Sequence, residues 1–248
     1  MTTVVAAGRR VLPRGYLDFG RQVAIWLGFY FGYLAVRGLV DRNPAKAFIN
    51  GLAVIGFEQR TMHHLVEQTA QRVVDASHFL LTMTAWTYWN SEFTVLCITL
   101  LFVYLRRHER FARFRNAILL ANVLGLIGYI FVPTAPPWMF ASYGFVDGVN
   151  HSTGLVNAMA NPYAAMPSLH AADALIVGVV LFKACRHWWA KLLWALWPAW
   201  VWFCVMATAN HYLLDVVAGI GVALVALGTV SWAVPRVAAH RKRAIVDA

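Results

Sequence analysis

The sequence predicts an all-α fold: a polytopic membrane helix bundle of about six transmembrane helices, with an N-terminal amphipathic interfacial segment. Three observations predict it. Of 248 residues, 60% are hydrophobic and 13% are charged, about half the charge of a soluble domain, and mean hydropathy is +0.58. Apolar runs of about 20 residues, the length that crosses a bilayer, recur along the chain. Eleven Trp, nine Tyr and fifteen Phe suit aromatic belts at the two bilayer interfaces. A water-soluble globular domain is excluded, because too little polar surface remains to cover it.

Residues 1–21 lack an apolar core, so they read as a cytoplasmic segment and not as a cleavable signal. Residues 22–75 hold the first span, 22–40, and a stretch of different character. From 41 to 75, Glu58, Arg60, His63, His64, Glu67 and Arg72 alternate with apolar residues at roughly helical spacing. That pattern predicts an amphipathic helix at the interface. Residues 76–234 form the main bundle, with spans at 76–105, 116–132, 168–185, 190–208 and 213–234. The first of these is long, either one tilted helix or two short ones broken near Asn90, Ser91 and Glu92. Cys97, Cys185 and Cys204 lie in apolar runs and read as small hydrophobes. Residues 235–248 form a basic cytoplasmic tail.

Basic residues orient the spans. Arg9, Arg10, Arg14 and Arg21 precede the first span, five Arg crowd 106–115, and Lys183, Arg186 and Lys191 surround the next connector. The tail adds Arg236, Arg241, Lys242 and Arg243, whereas residues 116–182 contain neither Lys nor Arg. Positive segments stay in the cytoplasm. Six spans with both termini inside satisfy the counts. Seven spans would strand four arginines outside. The net charge of +10 then marks loops beside anionic lipid, with no nucleic-acid partner.

Polar residues bordering apolar spans are costly, and they point to function. Two groups fall at the predicted outer face: Met166-Pro167-Ser168-Leu169-His170 and Asn210-His211-Tyr212-Leu213-Leu214-Asp215. His211 and Asp215 stand four apart, on one helical face. A carboxylate beside an imidazole fixes its tautomer and suits it as a nucleophile or base. Ser168 is placed to cap a helix whose free N–H groups attract anions. Two histidines, a carboxylate and an anion cradle are the parts phosphoryl transfer requires. Other readings stand beside this one. Either histidine alone suits a satisfied interfacial residue. His211 with Asp215 suits two metal ligands, although no third lies at helical spacing. Asp173, three after His170, suits either an orienting partner or an interior polar residue.

Pro167-Ser168-Leu169-His170 with His211-Tyr212-x-x-Asp215 resembles the type 2 phosphatidic acid phosphatase superfamily. The run Pro133-Thr134-Ala135-Pro136-Pro137-Trp138 and the segment bearing Glu58 and Glu67 resemble its branch of fungal inositol phosphorylceramide synthases. The resemblance spans about residues 50–220. It implies His211 as a nucleophile forming phosphohistidine, Asp215 as its polarising partner and His170 as the acid for the leaving oxygen. Ser168 and nearby backbone N–H groups would hold phosphate. No metal or cofactor is implied. The implied substrate is a lipid phosphate or phospholipid amid membrane lipids. Water as second acceptor gives a phosphatase, and a polyol such as inositol gives a transferase.

The family's Lys and Arg near the end of the third span are absent here, and Val205 stands where it has an Arg. Arg60, His63, His64 and Arg72 from the outer segment are therefore candidate phosphate donors, with His151, Asn161 and Asn210 as neutral alternatives. Two other classes remain: a non-catalytic lipid-phosphate carrier, and a structural subunit of the cell envelope.

Overall fold

The computed structural model describes residues 12–40, 44–149 and 162–246, and the backbone alone of 36–40 and 234–246. His151 and Asn161 lie outside the described residues. Among the described residues the regular structure is helical, and Thr134 with Ala164 makes an isolated parallel bridge. In order the helices are α1 (Gly15–Val40), α2 (Pro44–Met62), α3 (Val66–Asp75), α4 (His78–Asn90), α5 (Leu96–Arg106), α6 (His108–Phe131), α7 (Leu169–Ala184), α8 (Trp188–Ala207) and α9 (Leu213–Val246). A π-turn, Ser91–Val95, joins α4 to α5.

All six expected spans appear as helices. Among the described residues, four are long and apolar enough to cross a membrane: His78–Arg106, His108–Phe131, Trp188–Ala207 and Leu213–Ala233. The first of them answers the question of one helix or two. It is continuous, and the expected break is the π-turn. Helix α7 is short, at 16 residues, and buried on most sides, with Ala171, Ala172, Asp173, Ile176 and Val177 all enclosed. Helix α1 has the length, 26 residues, but carries Asp18 in its first turn. It starts at Gly15, inside the segment 1–21 expected to precede the first span. Large apolar side chains point outward all round, including Phe79, Ile98, Leu224 and Trp232, as a lipid-facing surface requires.

Small residues let the centre close up. A Cβ at Gly219 of α9 would run into the Ser168 carbonyl oxygen, and one at Gly128 of α6 would run into Pro167. Helix α7 therefore starts clasped between α6 and α9. Two ends result. At one, Arg107 and Arg110 donate to the carbonyls of Ala184 (3.3 Å) and Lys183 (2.7 Å). At the other lie the start of α7, the α8–α9 turn and the loop after α6.

The 41–75 stretch differs from the expected single interfacial helix. It forms two helices, α2 and α3, whose inner faces pack on the protein. Ala47, Gly51, Val54, Ile55 and Glu58 of α2 are buried, as are Glu67, Ala70, Gln71 and Val74 of α3. Beneath α3 lies α8, with Ala70 and Val74 against Ala207 and Met206, and beneath α2 lies the loop 133–138. Ala135 N–H donates to the Ala47 carbonyl (3.0 Å), and Asn50 Nδ2 to that of Pro133 (2.7 Å). The same loop ties to Tyr163 through Thr134 N–H, to Ala209 through Trp138 N–H, and to Tyr212 through the Ala135 carbonyl. It is a strap holding α2 and the α8–α9 turn together.

Candidate active site

His170 occupies the first turn of α7. Ser168 caps that helix, its Oγ accepting from Ala171 N–H at 3.2 Å. Capping fixes where the helix starts and so where His170 points. Its ring stacks on Tyr88 of α4, centroids 4.5 Å apart and 17° from parallel. Its Nε2 lies 3.2 Å from Glu92 Oε2.

Glu92 reaches His170 because of the π-turn. A π-turn holds one residue more than a regular turn and frees backbone carbonyls. Asn90 Nδ2 donates to the Trp86 carbonyl at 2.8 Å, and Ser91 Oγ to that of Tyr88 at 3.3 Å. The Asn-Ser pair read as a break signal therefore stabilises the turn that aims Glu92. Glu92 was missed as a site residue. The available signal was an acidic side chain inside an apolar span.

His211 sits in the tight turn between α8 and α9. Ala209 there takes a left-handed φ of +56°, and the N–H groups of Asn210 and His211 both donate to the Val205 carbonyl. Ring Nδ1 of His211 is 2.9 Å from the Ala165 carbonyl oxygen and 3.6 Å from Asp215 Oδ2. A carbonyl only accepts, so Nδ1 carries the proton and Nε2 keeps its lone pair. Asp215 lies one turn along but is the more distant partner. Its Oδ2 accepts Tyr212 N–H at 2.8 Å and caps α9. The nearer partner, a backbone carbonyl, has no sequence signal.

The two imidazoles face each other with centroids 5.6 Å apart. Ser168 N–H donates to the Asp215 carbonyl at 3.0 Å, locking the two motifs together. Both rings open into a cavity of about 800 Å³, lined by apolar and aromatic residues from α1, the α4–α5 helix and α6. Among the described residues no Lys or Arg lines it.

The remaining candidates lie elsewhere. Arg60, His63, His64 and Arg72 are exposed and outside the cavity lining. Arg72 donates to Thr69, and His64 Nδ1 sits against the Met62 carbonyl. Asn210 does line the cavity, but Thr208 takes its amide N–H groups through its carbonyl (3.1 Å) and Oγ1 (3.0 Å). Asn210 therefore presents an acceptor. Asp173 is held by Asn122 Nδ2, at 3.2 Å to each oxygen, and it is Glu92 that partners His170. Among the described residues no group of three or more His, Cys, Asp and Glu is arranged for a metal.

Beneath the α8–α9 turn lie two more buried carboxyls. Glu67 Oε1 accepts Leu213 N–H at 2.6 Å, and Glu58 Oε1 accepts Leu214 N–H at 2.9 Å. With Asp215 they occupy the first free N–H groups of α9, the positions an anion would otherwise take. Burial, then the neighbouring Glu67, pushes the Glu58 carboxyl up to about 8. Burial also raises Glu67, while hydrogen bonds donated to it pull the other way. Their second oxygens have no other donor. Glu58, the more strongly held acid, is the one that would keep a proton and offer it to Glu67.

Known proteins resemble this chain in sequence and in fold. The chain shares 30% identity over 137 residues with a phosphoinositol dihydroceramide synthase of Bacteroides thetaiotaomicron, covering 48% of this chain and 45% of the relative. It shares 25% over 118 residues with an inositol phosphorylceramide synthase of Candida albicans, covering 40% of this chain and 24% of the relative. It thus spans less than half the length of either. The crystal structure of Aquifex aeolicus LpxE has the same fold, with a TM-score of 0.52 at 20% identity over 66% of this chain and 92% of that one. The profile of the PAP2 superfamily matches residues 52–229, so the chain belongs to the PAP2 superfamily.

Proposed function

We propose that the protein transfers a phosphate-linked headgroup from a phospholipid to an alcohol at the outer face of the membrane, as an inositolphosphotransferase-like enzyme. His211 Nε2 attacks phosphorus. The N–P bond forms, the P–O bond to the lipid alcohol breaks, and His170 gives its proton to the departing oxygen. An acceptor hydroxyl then attacks the phosphohistidine. Its proton passes to His170, the N–P bond breaks, and His211 is restored. The Ala165 carbonyl and Asp215 orient His211 and stabilise its positive charge, and Glu92 does the same for His170.

The observation that carries transfer over monoester hydrolysis is the lining of the cavity. Among the described residues it holds Glu92 and Asp173 and no Lys or Arg. A phosphomonoester brings about −1.5 to −2 charges at neutral pH, whereas a phosphodiester brings one. A cavity lined with carboxylates and bare of cations favours the diester. The similarity to the two synthases supports the same reading.

The test is to incubate purified protein with phospholipids or lipid phosphates and alcohol acceptors, inositol among them, beside His211→Ala. A new His211-dependent phosphodiester is expected. Free phosphate from a lipid phosphomonoester in its place would make the protein a phosphatase. No His211-dependent product would leave a lipid-phosphate carrier.

A further inference from the structure

The cavity that receives both histidines does not end near them. On the α4–α5 helix its lining runs from Tyr88 to Tyr104, and on α1 from Leu34 to Phe19. On α6 it runs from Tyr129 to Phe111. At 1.5 Å per residue these stretches measure about 22–27 Å. Three helices thus give the same length independently. The hydrocarbon half of a bilayer is about 15 Å deep, half of the ~30 Å core. The groove therefore continues past the midplane, toward the end where Tyr104 OH donates to Asp18 and Arg115 to Gln22. Between its ends the walls are mostly apolar, with the hydrogen-bonded Asn122–Asp173 pair set into them, and they open sideways to lipid at Val23, Leu27, Phe93 and Leu101, all exposed.

We propose that this groove holds one hydrocarbon chain of the substrate lipid, and that it selects a chain long enough to pass the bilayer midplane. The proposal rests on the headgroup-transfer reading, which places the phosphate between His170 and His211. From that point a mostly apolar path runs along the face shared by α1, α5 and α6. A chain confined to one leaflet leaves the deep half of that path, around Leu100, unfilled.

The experiment uses methyl phosphodiesters of decanol and of eicosanol, each with a diazirine at the chain end, on the full-length protein in lipid nanodiscs. After irradiation the labelled residues are mapped by mass spectrometry. The decyl probe is expected to label the upper wall, at Trp89 or Phe93. The eicosyl probe is expected at Leu100, Tyr104 or Phe19. Ile98 and Phe102, exposed on α5 but outside the groove, are the internal control. Eicosyl label on those two, equal positions for the two probes, or labelling no better than by a chain without phosphate would overturn the proposal.

In turnover, Leu100→Trp narrows the deep half and is expected to lower kcat/KM for the eicosyl diester about tenfold while sparing the decyl diester. Leu101→Trp, at a more exposed position on the same wall, guards against misfolding. Equal losses for both chain lengths in both variants would count against selection by length. Deep label without His211-dependent product would sink the transfer reading and leave the groove standing. Product with label on the outer surface would do the reverse.

Discussion

At the scale of single residues, the site is two imidazoles held by different kinds of partner. His211 Nδ1 is fixed first by a backbone carbonyl, 2.9 Å away, and second by Asp215 at 3.6 Å. Asp215→Asn is therefore expected to keep the tautomer and part of the activity. Its loss should be about 10²–10³-fold, smaller than the complete loss in His211→Ala. Equal losses in the two variants would show that the Ala165 carbonyl does not suffice. Glu92 acts through His170 and is a positioning residue. Glu92→Gln is expected to slow transfer from an alkyl phosphodiester by about 10²-fold. An aryl diester, whose leaving group needs no proton, should hardly respond. If both diesters slow alike, Glu92 serves the fold and not proton donation. His170, His211 and Asp215 were legible because polar groups at the ends of apolar spans are rare. Glu92 was not, since its partner is 78 positions away and is met only through an irregular turn. The Ala165 carbonyl was illegible because every residue has one. The arginines and histidines of 60–72 read as donors because the turn that sends them outward has no pattern in sequence.

At the scale of elements, two devices aim these residues. The first is the π-turn Ser91–Val95, which the sequence showed as a polar break at the right place but of unspecified kind. Deleting Thr94 restores a regular helix and removes the bulge that carries Glu92 toward His170. Activity is expected to fall at least as far as in Glu92→Gln, with helix content by circular dichroism unchanged. Full activity would remove the turn from the account. The second device is the α2–α3 pair, whose glutamates hold the start of α9. Their helical periodicity was legible, but the partners of their buried faces were not, because α2 rests on an irregular strap and α3 on α8, distant in sequence. Glu58 has its carboxyl pushed from 4.5 up to about 8 by burial and by Glu67. The folded chain thus keeps a proton that the unfolded chain releases at lower pH. Stability from this source is full below about 4.5, declines as pH rises, and is lost by about 8. Glu58→Gln mimics the protonated acid: its amide oxygen accepts Leu214 N–H and its NH₂ donates to Glu67. Thermal melts across this range should fall with pH in the native chain and stay flatter in Glu58→Gln. Parallel curves would mean that the proton resides elsewhere.

At the scale of the whole molecule, charge and chemistry are separated along the bundle. The connectors rich in Arg and Lys meet at one end, through Arg107 with Ala184 and Arg110 with Lys183. Both histidines, the 133–138 strap and the α2–α3 cap meet at the other. This polarity follows from counting basic residues and alternating helix directions, so it was the most legible property of the chain. The α7 helix shows the limit of that reading. Its 16 residues read as another span, but protein surrounds it on most sides, because Gly128 and Gly219 admit its start and spatial neighbours cannot be counted from one sequence. Positive segments remain cytoplasmic, so the site end should face outward. Ser142 is exposed in the loop at that end, and Glu109 is exposed between the basic helices. In a chain with Cys97→Ser, Cys185→Ser and Cys204→Ala, Ser142→Cys should react with a membrane-impermeant maleimide on intact cells. Glu109→Cys should react only after the membrane is opened. The opposite pattern would place His211 on the cytoplasmic side, and the lipid donor and alcohol acceptor would then have to come from the inner leaflet.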